Sequence, residues 1–157
     1  MSRKTQPVVI LVAEDDEDDF LLIRRAMQEA RLSNELKWVK DGEELMDYLY
    51  ARGDYREAGK ALCPGIIILD LNMPRKDGRE ALKEIKADPQ LRGIPVIVFT
   101  TSGAEEDILR SYGVGVNSFI QKPLRYDAFV EVVKTFGKYW FEIVTLSPSK
   151  EGPCVEV

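Results

Sequence analysis

The chain has 157 residues, 45% apolar and 31% charged, which fits one soluble globular domain with at most a short appendage. Lys and Arg number 22 against 27 Asp and Glu, a net charge of −5, so there is no overall attraction to nucleic-acid phosphate and no basic run to supply a local one. Histidine is absent, which excludes a Ser-His-Asp site, an imidazole-ligated zinc and a phosphohistidine formed on the chain itself.

Residues 8–13, Val-Val-Ile-Leu-Val-Ala, form a β-branched apolar run after Pro7 and before a set of acids, and are predicted to be a buried strand. Phe20, Ile23, Met27 and Ala30 recur at helical spacing over 17–31. A second short strand falls at 35–39 and a helix at 43–51. Residues 52–65 carry Gly53, Gly59, Gly65 and Pro64 without a clear period and are expected to be a loop, long for an ordinary connection. The alternation then resumes, with strands at 66–69 and 95–99, a helix at 78–87, a helix at 104–112, a shorter strand at 118–121 and a helix at 126–137. Five strand–helix pairs imply right-handed crossovers and a parallel sheet covered on both faces. The expected fold is therefore α/β, a flavodoxin-like doubly wound five-stranded sheet of strand order 2-1-3-4-5.

Cys63 and Cys154 form no Cys-x-x-Cys pair and support neither a zinc knuckle nor a redox motif. No apolar run approaches the roughly 20 residues of a membrane span. The first residues lack a signal-peptide pattern, so a reducing cytoplasm is the expected location.

Ligands of an open parallel sheet sit beyond the carboxyl ends of its strands, so the residues that follow each apolar run carry the information. Strand one ends in Glu14-Asp15-Asp16, strand three in Asp70 with Asn72 two further on, strand four in Thr100-Thr101-Ser102 and strand five in Lys122-Pro123. Carboxylates of Glu14, Asp15 and Asp70 brought together would repel unless a cation compensates. Mg²⁺, held by one or two carboxylates together with phosphate oxygens, suits this short oxygen set. Asp18 and Asp19 are also explained as acids of a first helical turn. An EF-hand is excluded, because Pro74 and Arg75 occupy its last two loop positions. An aspartate at a strand end can attack phosphorus to give an acyl phosphate, while Lys122 holds the phosphoryl group as a point charge and Thr100 donates a hydroxyl to it. Taken singly, Lys122 could be a surface ion pair and Thr100 a strand-end cap. It is their conjunction with the acids that points to phosphoryl chemistry.

These motifs, Glu14-Asp15, Leu69-Asp70-Leu71-Asn72-Met73-Pro74 with Gly78 after it, Thr100 and Lys122-Pro123, resemble the receiver domain of bacterial two-component response regulators over residues 8–138. The resemblance implies that Asp70 is the phosphoacceptor, that Glu14 and Asp15 with Asp70 and the backbone carbonyl of Asn72 hold Mg²⁺, and that Thr100 and Lys122 sense the phosphate. It implies a cis Lys122–Pro123 bond, and places Asn72 and Ser102 where hydrolysis of the acyl phosphate is tuned. Phe119 stands where the family has a rotating aromatic, usually tyrosine. It can fill the space vacated by Thr100 but lacks the hydroxyl, and it also reads as an ordinary buried strand residue. The switching face in the family is built from the fourth helix, fifth strand and fifth helix.

Residues 139–157 are too few for an output domain and form a C-terminal extension whose end, 147–153, reads as flexible. If the last helix continued, Phe136, Tyr139, Trp140 and Ile143 would form one apolar stripe, with Phe141 beside it. Such a stripe either folds back on its own domain or serves as a homodimer interface. The tail, the long loop and the Phe-Thr-Thr-Ser run look like the small single-domain regulators of phytochrome histidine kinases, where the extension contributes to a homodimer. The expectation is a cytoplasmic phosphoacceptor that relays a signal from a histidine kinase without DNA-binding output and without being a turnover enzyme. A phosphorylation-independent docking receiver is the alternative. A haloacid-dehalogenase-type phosphatase is disfavoured because Asn72 stands where that family needs a second Asp.

Overall fold

The computed structural model describes residues 8–32, 34–57, 61–101, 116, 118–140 and 154–155. The expected helix at 104–112, Ser102, Phe141, Ile143 and the end of the extension at 147–153 lie outside these residues.

Five strands, β1 (Ile10–Ala13), β2 (Leu36–Val39), β3 (Ile66–Leu69), β4 (Val96–Thr100) and β5 (Ser118–Gln121), pair in parallel in the order β2-β1-β3-β4-β5. This is the expected order. Around them pack α1 (Glu17–Glu29), α2 (Gly42–Leu49), α3 (Gly78–Ala87) and a C-terminal helix (Tyr126–Lys138). A 3₁₀ turn at Gly53–Tyr55 falls within the loop expected at 52–65.

The sheet separates two cores because successive side chains of a strand point to opposite faces. Leu11, Ala13, Ile67, Leu69, Val96 and Val98 face Leu45, Met46 and Leu49 of α2 and Ala81, Leu82 and Ile85 of α3. Ile10, Val12, Ile66, Ile68, Ile97 and Phe99 face Phe20, Ile23 and Met27 of α1 and Phe129, Val133 and Phe136 of the C-terminal helix. β1, β3 and β4 lie inside the sheet and are buried throughout, which is why their sequences are continuous apolar runs. β5 is an edge strand and only partly buried.

Two expectations change. Phe136 and Trp140 are 7% and 8% exposed and belong to the core of their own domain, whereas Tyr139, adjacent to Trp140, is 51% exposed. The apolar stripe is thus divided, because the helical turn that carries it faces Phe99 on one side and the surface on the other. The two cysteines, expected to form no redox motif, are joined in a disulfide across 91 residues with their Cα atoms 4.6 Å apart. That distance lies within the span a disulfide bridges, and chain folding rather than sequence spacing creates it.

Candidate functional site

Four strand ends deliver the site. β1 stops where Glu14-Asp15 begins, and Asp16 caps α1 by accepting hydrogen bonds from the amides of Asp18 (2.8 Å) and Asp19 (3.4 Å). Glu14 is buried, Asp15 exposed and Asp70 buried, and one carboxylate oxygen from each lies within 4.8 Å of the others. An all-oxygen set of three acids is the donor chemistry a hard divalent cation prefers. With the carbonyl of Asn72 these residues could hold Mg²⁺ or Mn²⁺.

Lys122 is the countercharge. Its Nζ donates to Asp70 Oδ2 at 3.2 Å, to Asp19 Oδ2 at 3.0 Å and to Glu14 Oε1. Its amide donates to the Thr100 carbonyl at 2.6 Å, which ties the residue after β5 to the end of β4. Burial disfavours the Lys122 ammonium, but the charges of Glu14 and Asp70 outweigh it and hold the group protonated well above its ordinary range. Glu14 is pushed up to about 9, first by burial and then by the Asp70 carboxylate, against the opposing pull of Lys122. Burial and the Asp70 carboxylate thus favour the protonated form of Glu14, while Glu14 and Asp70 favour the charged form of Lys122.

The remaining contacts orient the acceptor. Asp70 Oδ1 accepts from the Asn72 amide at 3.1 Å, and the Asn72 side-chain amide donates to Thr100 Oγ1 at 3.2 Å. Thr100 is fully buried and Lys122 is 4% exposed, so both polar groups act in a water-poor environment. Gly78 opens α3 directly against Asp70: a Cβ there would meet the Asp70 carbonyl oxygen at 2.4 Å.

The structure thus brings Glu14, Asp15, Asp70, Asn72, Thr100 and Lys122 together, as expected from the strand ends. Phe119 is half-buried on β5 against the α2–α3 core. The Lys122–Pro123 bond is trans, not cis. Trans is the lower-energy isomer of an X-Pro bond, and it already lets Lys122 reach three carboxylates. Sequence reasoning missed Asp19 as a partner of Lys122. The signal was available, because Asp19, Ile23 and Met27 share one helical face and the last two are core, which puts Asp19 on the rim. It also missed Trp38, whose indole Nε1 donates to the Glu14 carbonyl at 2.7 Å and fixes the backbone of the acidic pair.

Comparison with known proteins places this geometry. The model of the response regulator receiver domain matches residues 10–134. The chain belongs to the response regulator receiver family. Response regulator Rcp1 of Synechocystis is 39% identical over 140 residues, 89% of this chain and 93% of that protein. The crystal structure of Mn²⁺-bound Rcp1 superposes with a TM-score of 0.82 at 38% identity, covering 90% of this receiver chain and 99% of the other. The phosphorylated cyanobacterial phytochrome response regulator RcpA gives 0.79 at 41% identity, covering 89% and 98%. RPA3017, a response regulator in red light signaling of R. palustris, gives 0.78 at 34%, again covering 89% and 98%. This receiver is a two-component signalling protein, and its relatives include a phytochrome response regulator. Among its described residues no helix is long and apolar enough to cross a membrane.

Proposed function

We propose that this receiver accepts a phosphoryl group onto Asp70 from the phosphohistidine of a sensor kinase. The observation that carries the reading is the buried contact of Lys122 Nζ with Asp70 Oδ2, 3.2 Å, beside the carboxylates of Glu14 and Asp15. An Asp70 oxygen forms the new bond to phosphorus as the P–N bond to the donor imidazole breaks, and the imidazole nitrogen keeps the electron pair. Lys122 faces the incoming phosphoryl oxygens, and the Thr100 hydroxyl, now held by Asn72, is the donor that turns toward them. Glu14, Asp15, Asp70 and the Asn72 carbonyl would hold Mg²⁺, which would supply positive charge to the transferring group. The Mn²⁺-bound form of Rcp1 supports a divalent cation in this role. Asn72 and Ser102 tune hydrolysis.

On this reading the domain spans residues 8–138 and the extension 139–157. Thr100 and Phe119 couple the phosphoryl group to the β5 face, where the exposed Tyr139 contributes to a homodimer while Phe136 and Trp140 serve their own core. The donor is a cytoplasmic histidine kinase, and the phytochrome connections of RcpA and of RPA3017 in red light signaling favour a light-regulated one.

Intact-protein mass after incubation with Mg²⁺ and acetyl phosphate tests the reading without knowledge of the kinase. One phosphoryl adduct is expected, lost with EDTA and absent from Asp70→Asn. No adduct from acetyl phosphate or from any phosphorylated kinase would leave a phosphorylation-independent docking receiver.

A further inference from the structure

The disulfide has no part in the phosphoryl site. Cys63 lies just before β3 begins at Ile66, at the amino end of the strand whose carboxyl end presents Asp70. Its surroundings are fixed from two sides: the Tyr48 hydroxyl donates to the Leu62 carbonyl at 2.7 Å, and the Gly65 amide donates to the Val9 carbonyl at 2.9 Å. Tyr48 is itself 2% exposed and ring-packed on Tyr55 at 5.1 Å. One sulfur is therefore anchored on a rigid wall of the core.

The other sulfur arrives from a different layer. Trp140 ends the described part of the C-terminal helix in the core that α1 shares, whereas Cys154 and Val155 pack in the opposite core with α2 and α3. The sheet stands between these cores. The bond therefore ties Cys154 and Val155 into the core opposite the one in which Trp140 packs. Both cysteines are nearly buried, at 7% and 4% exposure, and Cys154 and Val155 add apolar contacts to the site the bond secures.

We propose that Cys63 and Cys154 are a redox-modified pair whose disulfide holds Cys154 and Val155 in the core beside α2 and α3 and whose reduction removes that covalent tie. The inference rests on the receiver reading for one point only, a cytoplasmic setting in which thiols are ordinarily kept reduced and a disulfide is conditional rather than permanent. Closure removes two electrons and two protons from the two thiols. With hydrogen peroxide as oxidant the products are the disulfide and two waters, and a small dithiol returns both thiols by exchange while forming its own cyclic disulfide. The anchored Cys63 has its partner within bridging distance, so oxidation favours the intramolecular bond over sulfenic acid or a bond to a second chain.

The full chain is treated with hydrogen peroxide or dithiothreitol, denatured, alkylated with N-ethylmaleimide and weighed, with thermal unfolding and the acetyl-phosphate adduct followed in parallel. Expected are no alkyl adducts after peroxide, two after dithiothreitol, and an unfolding midpoint several degrees higher in the oxidised chain. Cys63→Ser and Cys154→Ser should each unfold at the reduced midpoint and lose the response to peroxide. Thiols that stay alkylatable after peroxide, a disulfide-linked dimer on a non-reducing gel, a midpoint indifferent to reduction, or a bond that survives dithiothreitol in the folded chain would each overturn the proposal. The Asp70 adduct is expected in both redox states. Its absence from both would count against the phosphoacceptor reading and leave the cysteine result standing.

Discussion

Gly78 and Asp70 meet backbone to backbone: a Cβ on Gly78 would lie 2.4 Å from the Asp70 carbonyl oxygen and 2.7 Å from Leu71 Cα, and the Gly78 amide donates to the Leu71 carbonyl at 3.1 Å. The start of α3 is therefore pressed against the loop that carries the acceptor. Since the opposing atoms are main chain, no side chain can rotate away to make room. Gly78→Ala should displace the loop, cost about 1–3 kcal/mol as overpacking does, and slow adduct formation at Asp70 by more than the stability loss alone predicts. Thermal unfolding together with the acetyl-phosphate rate checks this, and unchanged values of both would refute the close approach.

Lys122 Nζ pairs with the carboxyl groups of Glu14, Asp19 and Asp70, and it is buried together with Glu14 and Asp70. Breaking a buried ion pair by removing one partner costs about 3–5 kcal/mol, and the proton held by Glu14 puts Lys122→Met at the lower end, about 3 kcal/mol. Urea unfolding in EDTA should show that loss. Mg²⁺ should restore part of it, because a cation can stand in for the ammonium among the same oxygens. Loss of a preorganised positive charge from the phosphoryl site should slow adduct formation by about 100-fold. A variant that unfolds like the parent in EDTA would show that Lys122 is not the countercharge of the metal-free site.

Glu14 makes the stability of the metal-free chain depend on pH. In the folded chain its proton persists to about 9, whereas its ordinary value is 4.5. Between those values the folded state binds more protons than the unfolded one, so this group's contribution falls as pH rises. Glu14→Gln keeps the shape and removes the titration. In EDTA its thermal midpoint should gain on the parent steadily from pH 5 to pH 9, and a difference that does not change with pH would show that Glu14 titrates normally. The same variant should bind Mg²⁺ more weakly.

Much of this was legible in the sequence because two-face burial and strand-end placement leave direct marks. Ile66 to Leu69 is apolar without interruption since both of its faces are covered, and Asp70 is conspicuous as the first polar residue after it. Val8 and Val9 extended the first run two residues beyond the paired strand, because an apolar run does not report where pairing begins. Asp19 was hidden by a sufficient local explanation, the helix start, which conceals a partner 103 residues away. Cys63 and Cys154 carried no pattern at all. Their meeting depends on the chain reaching the second core layer, which no local period encodes.

Tyr139 and Trp140 are adjacent in sequence yet divide the work of the last helix. Trp140 is 8% exposed in the core with Phe99 and Phe136, and Tyr139, edge-on to Trp140 at 5.7 Å between ring centroids, is 51% exposed. Trp140→Ala should therefore behave as a core truncation, costing about 3–5 kcal/mol. Tyr139→Ala removes mostly solvated surface and should change monomer stability by less than about 0.5 kcal/mol. If the β5 face forms the homodimer, Tyr139→Ala should lower the mass seen by light scattering toward the monomer at concentrations where the parent is dimeric, since exposed aromatics are the anchors of such interfaces. Chemical unfolding paired with light scattering on both variants separates the two roles. A fully dimeric Tyr139→Ala chain would move the interface elsewhere, and a Trp140→Ala chain as stable as the parent would remove Trp140 from the core.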